Sequence, residues 1–218
     1  MLPLRLTEQR QCLKESMQGG GATKRASSFT YNIPSTYTGE IFGLLTLSKS
    51  VSNGHALIAE IKSIWNFMKK IVYVDMDNVL VDFQSAFPKL SKKVLNEYEN
   101  NKDDIPGIFA LMEPMPSAIE SFIELTKHFE TYVLSTAPWN NSSAWSDKLL
   151  WVKKYLGEHA LKRLILTHHK NLNMGDYLID DRLKRGADSF AGEHIHFGTE
   201  KFPDWASVMK YLRSKERL

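Results

Sequence analysis

Two aspartates spaced two residues apart close an apolar run in Val74-Asp75-Met76-Asp77-Asn78-Val79. The run before them, Ile71-Val72-Tyr73-Val74, is β-branched and aromatic, the pattern of a strand buried on both faces. In an open α/β sheet, ligands bind at the carboxyl ends of the strands. Asp75 is therefore expected to point into a crevice and Asp77 to sit in the turn beyond the strand. One carboxylate can then attack while its neighbour handles a proton. Asn78 tolerates the unusual backbone of such a turn. A second acidic pair ends another apolar run, Tyr177-Leu178-Ile179-Asp180-Asp181. A single Asp at a strand end is usually a turn or cap residue. Two pairs after two apolar runs gather four like charges, which is costly unless a cation lies between them. Asp75, Asp77, Asp180 and Asp181 offer hard oxygen donors with no Cys or convincing His set alongside, and this suits Mg²⁺. Two more run ends supply partners for a phosphate. Thr131 to Leu134 leads into the hydroxyls of Ser135-Thr136, and Arg163 to Thr167 is followed by Lys170, a point charge. The order says more than any one of these: Asp-x-Asp, Ser, Lys, Asp-Asp, each after a strand.

Those strands must be held side by side, and the intervening sequence predicts how. Residues 83 to 100 read as helical, and Asn100 to Gly107 form a turn cluster rich in Asn, Asp, Pro and Gly. Ser117-Ala118-Ile119-Glu120 has the form of a capping box opening a helix that carries Phe122 and Leu125. Trp145 to Leu156 predicts a second helix, stopped by Gly157. Its Lys148, Lys153 and Lys154 are expected on a solvated face. His194 to Phe197 is a further short strand, with His194 and His196 on its wet face. A last helix begins near Asp204, with Trp205, Val208, Met209 and Leu212 at helical spacing. Strands alternating with helices predict an α/β fold: a doubly wound, mostly parallel, Rossmann-like sheet with helices on both faces.

The order of these motifs over Met68 to about Phe197 resembles the haloacid dehalogenase-like phosphatase superfamily. Asp75 to Phe83, Pro106-Gly107-Ile108-Phe109, Glu113-Pro114, Leu134 to Pro138, Lys170 and Leu178 to Arg182 look like the 5′(3′)-deoxyribonucleotidase family. Asn78 stands where that family commonly has Gly. The insert of residues 83–115 is short for the family's helical cap, the part that recognises the nucleoside. The resemblance implies that Asp75 is the nucleophile, forming an aspartyl-phosphate, and that Asp77 is general acid and then general base. Ser135, Thr136 and Lys170 would hold the phosphoryl oxygens. Mg²⁺ would be bound by the Asp75 side chain, the Asp77 carbonyl and the last acidic pair, with Asp181 the direct ligand and Asp180 behind it. Phe83 and Phe109, and less so Trp139, would face a nucleobase. The implied substrate is a small phosphomonoester, a (deoxy)ribonucleoside 5′- or 3′-monophosphate. A phosphatase of the same fold acting on another metabolite, and a non-enzymatic binding protein, are the alternatives. Retention of all five motif positions (Asp75, Asp77, Ser135, Lys170, Asp181) argues against the last.

Composition narrows the remaining classes. The 218 residues are 43% hydrophobic and 24% charged, which excludes a disordered or coiled-coil chain. The net charge of +3 invites a nucleic-acid reading. Residues 1–67 hold seven of the 28 basic and four of the 25 acidic residues, leaving 21 of each beyond. The remainder therefore has no bulk attraction to a nucleic acid polymer, and none is expected as a partner. No apolar run approaches the ~20 residues that span a bilayer, so no membrane partner is expected. A single cysteine, Cys12, suits a reducing compartment, and a cytoplasmic location is the expectation. A homodimer is left open. Residues 1–67, with Gly19-Gly20-Gly21 and Ser/Thr/Gly-rich stretches, are expected to be a flexible or non-native extension ahead of a phosphatase domain at 68–218.

Overall fold

The computed structural model describes residues 69–218, and the expectations for residues 1–67 lie outside them. Lys69–Leu218 form one compact unit. Its sheet has five strands: β1 (Ile71–Val74), β4 (Glu130–Ser135), β5 (Leu164–Leu166), β6 (Tyr177–Asp180) and β7 (Glu193–His196). They lie in the order β5-β4-β1-β6-β7, and all pairings are parallel. The chain winds outward from β1 to β4 and β5, returns, and winds outward again through β6 and β7. This is the expected α/β doubly wound topology, and its order reverses between β1 and β6. A crevice belongs at the carboxyl ends there.

Side chains alternate across this sheet. One face buries Val72, Val74, Val133, Ile179 and Ile195 in a core shared with helix α2 (Ala118–His128), α3 (Ser143–Tyr155) and α4 (Trp205–Glu216). The other face carries Tyr73, Leu134 and Leu178 against Ala187 and Phe190 of the β6–β7 connection. Helix α4 begins with a true capping box: the amide of Ser207 donates to Asp204 Oδ1 at 2.8 Å, and Ser207 Oγ accepts from the Asp204 amide. Helix α3 ends as its sequence predicts, with Gly157 in the left-handed region just past Leu156. The capping box expected at Ser117 does not form. Ser117 has φ 59° and its side chain makes no capping hydrogen bond. An N-cap hydroxyl reaches the third amide only from an extended backbone, and here the backbone is left-handed.

The insert between β1 and α2 is closed at its base by a two-rung antiparallel ladder of β2 (Val81–Asp82) and β3 (Glu113–Pro114). Between them, the stretch predicted as helical is broken in two. A 3₁₀ helix runs over Phe83–Lys89 with Pro88 inside it, and the six-residue α1 (Lys92–Glu97) restarts at the N-cap Ser91. Pro88 removes an amide donor, and Ser91 supplies a new cap.

Candidate active site

Register brings the motif residues together. Val74 of β1 pairs with Val133 of β4 on one side and Ile179 of β6 on the other. The Asp75 amide then donates to the Ile179 carbonyl at 2.9 Å, and the Thr167 amide to the Ser135 carbonyl at 2.9 Å. Asp75, Ser135 and Asp180 thus emerge along one edge. Beyond Asp75 the chain turns sharply. The amides of Leu80 and Val81 both donate to the Met76 carbonyl, at 2.8 and 2.9 Å. Asn78 takes φ 57°, a conformation that Asn adopts more readily than most residues. Its Nδ2 donates to Asp181 Oδ2 at 3.0 Å, a bond that Gly could not make. From α4, Trp205 Nε1 donates to the Val79 carbonyl at 2.8 Å and pins the turn from behind.

Two buried lysines divide the carboxylates between them. Lys170 Nζ lies 3.0 Å from Asp75 Oδ1 and also pairs with Asp180. Burial works against its charge, but Asp75 and Asp180 more than offset that and raise its pKa above the ordinary value. Lys148 is the second, and here the expectation of a solvated face is overturned. It is 0% exposed, and its Nζ donates to Asp77 Oδ1 at 2.7 Å and Ser135 Oγ at 3.1 Å. The buried stripe of α3 is Ala144, Asp147, Lys148, Trp151 and Val152, at helical spacing. Lys148 sits within it, whereas Lys153 and Lys154 are exposed. That stripe was the signal in the sequence: Ala144, Trp151 and Val152 place position 148 inward, whatever its charge. Burial also pushes the Asp77 carboxyl up, opposed by Lys148 and reinforced by Asp75.

Asp75, Asp180 and Asp181 offer oxygens that lie within 4.8 Å of one another. Asp181 Oδ1 is buried and makes no hydrogen bond, and Asp75 Oδ1, equally buried, has only the Lys170 ammonium beside it at 3.0 Å. Asp180 is engaged at both oxygens, by Lys170 and by the Arg182 amide at 2.9 Å. Burial, and then the Asp75 charge, raise the Asp180 pKa. Carboxylate oxygens gathered this closely, with Asp181 Oδ1 left without a partner, are what a divalent cation would satisfy, so the donor set fits Mg²⁺. The Asp77 carboxylate is outside the cluster, turned to Lys148. Behind the acidic pair, the ring nitrogens Nε2 of His194 and His196 lie 3.2 and 3.0 Å from the carbonyl oxygens of Asp180 and Asp181. A carbonyl only accepts, so both rings donate from Nε2. Their strand alternation leaves them half-exposed as expected, but it also ties them to the acidic pair.

The crevice above these groups has a volume of about 380 Å³. Asp75, Asp77, Thr136 and Lys170 line its floor, and Phe83 and Asn100 come from the insert. Ser135 lies beneath, fully buried, with its hydroxyl on Lys148. Phe109 is 1% exposed and does not line the crevice. Lys148 Nζ sits 4.4 Å over its ring, and Phe83 packs against it at 6.1 Å. Trp139 is 84% exposed, with His168 beside it.

Comparison with known proteins agrees with this arrangement. A family model described as 5′ nucleotidase, deoxy (pyrimidine), cytosolic type C protein matches residues 91–203. A relative from Vibrio phage KVP40, provisionally named a 5′(3′)-deoxyribonucleotidase, is 62% identical over 149 residues, covering 68% of this chain and 88% of its own. One from Bordetella bronchiseptica with the same provisional name is 31% identical over 137 residues, covering 51% and 74%. The human 5′(3′)-deoxyribonucleotidase, cytosolic type, is 28% identical over 172 residues, covering 63% and 78%. The fold and the family match are those of a haloacid dehalogenase-like phosphatase. Within that superfamily, the chain belongs to the 5′(3′)-deoxyribonucleotidase family.

Proposed function

We propose that this phosphatase hydrolyses deoxyribonucleoside 5′- or 3′-monophosphates in the cytoplasm, through a phosphoryl group carried on Asp75. The observation that supports this most is the different footing of two carboxylates two residues apart. Asp75 lies at the crevice floor with the Lys170 ammonium 3.0 Å from its Oδ1. Asp77 is held by Lys148, with burial favouring its protonated form. Asp75 attacks phosphorus, and the ester P–O bond breaks as Asp77 gives its proton to the leaving alkoxide. Asp77 then takes a proton from water, which attacks the same phosphorus and releases Asp75 and inorganic phosphate. Lys170 balances the charge on the phosphoryl oxygens, with Thr136 lining the crevice floor and Ser135 beneath it on Lys148. Asp75, the Asp77 carbonyl and Asp181 would hold Mg²⁺, with Asp180 engaged by Lys170 behind them. The ion, when bound, neutralises charge on the transferring phosphoryl group. Phe83 offers its face to the base, with Phe109 supporting it from the core.

A panel of thymidine 5′-monophosphate, ribose 5-phosphate and a small phosphate ester without a base tests this reading. The nucleotide is expected to be the best substrate, with activity lost on chelation and restored by Mg²⁺. Phe83→Ala should raise KM for the nucleotide about tenfold, the worth of one stacked base, and leave the small ester unchanged. Equal hydrolysis of all three by the wild type would leave a phosphatase for some other metabolite. Full activity after exhaustive chelation would remove the metal from the account.

A further inference from the structure

One wall of the crevice carries more positive charge than a single phosphate requires. Beyond Lys170, the connection after β6 lines the cavity with Arg182, Lys184 and Arg185. Arg182 pairs with Asp181 at 3.5 Å. Among the described residues, Lys184 and Arg185 have no side-chain hydrogen bond or ion pair, and both are exposed. Their placement is built rather than incidental. Arg185 has φ 57° and Gly186 φ 83°, two consecutive left-handed residues. Arginine gains nothing locally from that conformation and is strained by it. The Lys170 amide donates to the Arg185 carbonyl at 2.8 Å, fastening this loop to the turn that holds the buried lysine. A Cβ on Gly186 would come within 2.2 Å of Asn171 Oδ1 and 2.9 Å of the Asn171 amide nitrogen, so the two segments are in close contact. On the far side, Ala187 and Phe190 are buried under the sheet. The loop is thus held at both ends, with its two free cations on the crevice wall. The unit beyond residue 67 has balanced charge, so this patch is local and does not belong to a basic face.

Resting on the nucleotidase reading, we propose that Lys184 and Arg185 form a second anion subsite, and that the preferred substrates are deoxyribonucleoside 3′,5′-bisphosphates. One phosphate is cleaved over Asp75, and the other is bound by Lys184 and Arg185 without being cleaved. Across the crevice the insert presents Glu99, Lys102 and Asp103, a mixed set that does not compete for a dianion.

The test compares kcat/KM for thymidine 5′-monophosphate and thymidine 3′,5′-bisphosphate in wild type, Lys184→Gln, and the double variant Lys184→Gln/Arg185→Gln. The wild type is expected to favour the bisphosphate roughly tenfold at low ionic strength, the scale of two exposed ion pairs, with the preference shrinking as salt is raised. Lys184→Gln, at an exposed position, should keep about a third of that preference. The double variant should lose it while handling the monophosphate as the wild type does. A wild type that hydrolyses the monophosphate at least as well as the bisphosphate overturns the subsite and leaves the nucleotidase reading intact. So does a preference that survives the double variant. Hydrolysis of neither nucleotide, with other esters cleaved, overturns the nucleotidase reading itself.

Discussion

Lys148 joins the two halves of the chemistry at the residue scale, because its ammonium touches both Asp77 and Ser135 from a position with no solvent exposure. Removing one partner of a buried pair leaves the other uncompensated. Lys148→Met is therefore expected to lower kcat about 100-fold, on the scale of a mispositioned general acid, with a smaller change in KM. Adding it to Asp77→Asn should cost little more than Asp77→Asn alone, since the two act as one unit. Independent, multiplying losses in steady-state kinetics would show that Lys148 serves the phosphate and not Asp77. The carboxylates and Lys170 were legible in the sequence because each follows an apolar strand, where function is expected. Lys148 was not, because a lysine among lysines on a helix reads as solvated until its spacing from Ala144 and Trp151 is counted. Phe109 was legible as an aromatic near the crevice, but sequence does not separate a face that meets substrate from one that packs beneath it.

At the scale of elements, the turn before α2 departs from its expected form in a way that stability measurements can detect. Ser117 takes a left-handed backbone and makes no capping bond, so its side chain costs conformational energy without a return. Ser117→Gly is expected to raise stability by about 0.5 kcal/mol, the relief of strain less the extra freedom of the unfolded chain. Tm should rise by about 1–2 °C for a domain of this size. A lowered Tm would mean that the Ser117 side chain holds the turn through contacts other than a cap. The five strands of the main sheet were legible because each is a short apolar run bounded by turn residues. The two-rung ladder of β2 and β3 was not, because two residues carry no periodicity. It matters nonetheless, since it closes the base of the insert that brings Phe83 over the crevice.

Across the whole molecule, the edge opposite the crevice is fastened by Glu216 near the end of α4. It pairs with Lys70 at 2.6 Å, just before β1, and accepts from Tyr177 at the start of β6. Burial alone would raise its pKa, but Lys70 and Tyr177 hold it below the usual 4.5. A folded value below the unfolded one stabilises above about pH 4.5, and that stability is lost as pH falls through the folded value. Glu216→Gln should therefore lower Tm at pH 7 and approach wild type near pH 3. The effect should be about 1 kcal/mol or less, because Lys70 is half-exposed. A gap that does not change with pH would mean packing, not charge. The doubly wound, mostly parallel sheet was legible from the alternation of strands and helices, but the strand order was not. How closely β1 and β6 bring Asp75 to Asp181 was not, because it depends on register, and register is what makes the site. The central claim is that phosphate passes through Asp75. The direct test is mass spectrometry of the intact Asp77→Asn enzyme, quenched in acid during turnover of thymidine 5′-monophosphate. Slowed hydrolysis of the intermediate should leave a fraction of the protein one phosphoryl group heavier, on the peptide bearing Asp75. Slow turnover with no phosphorylated protein at any quench time would contradict the account.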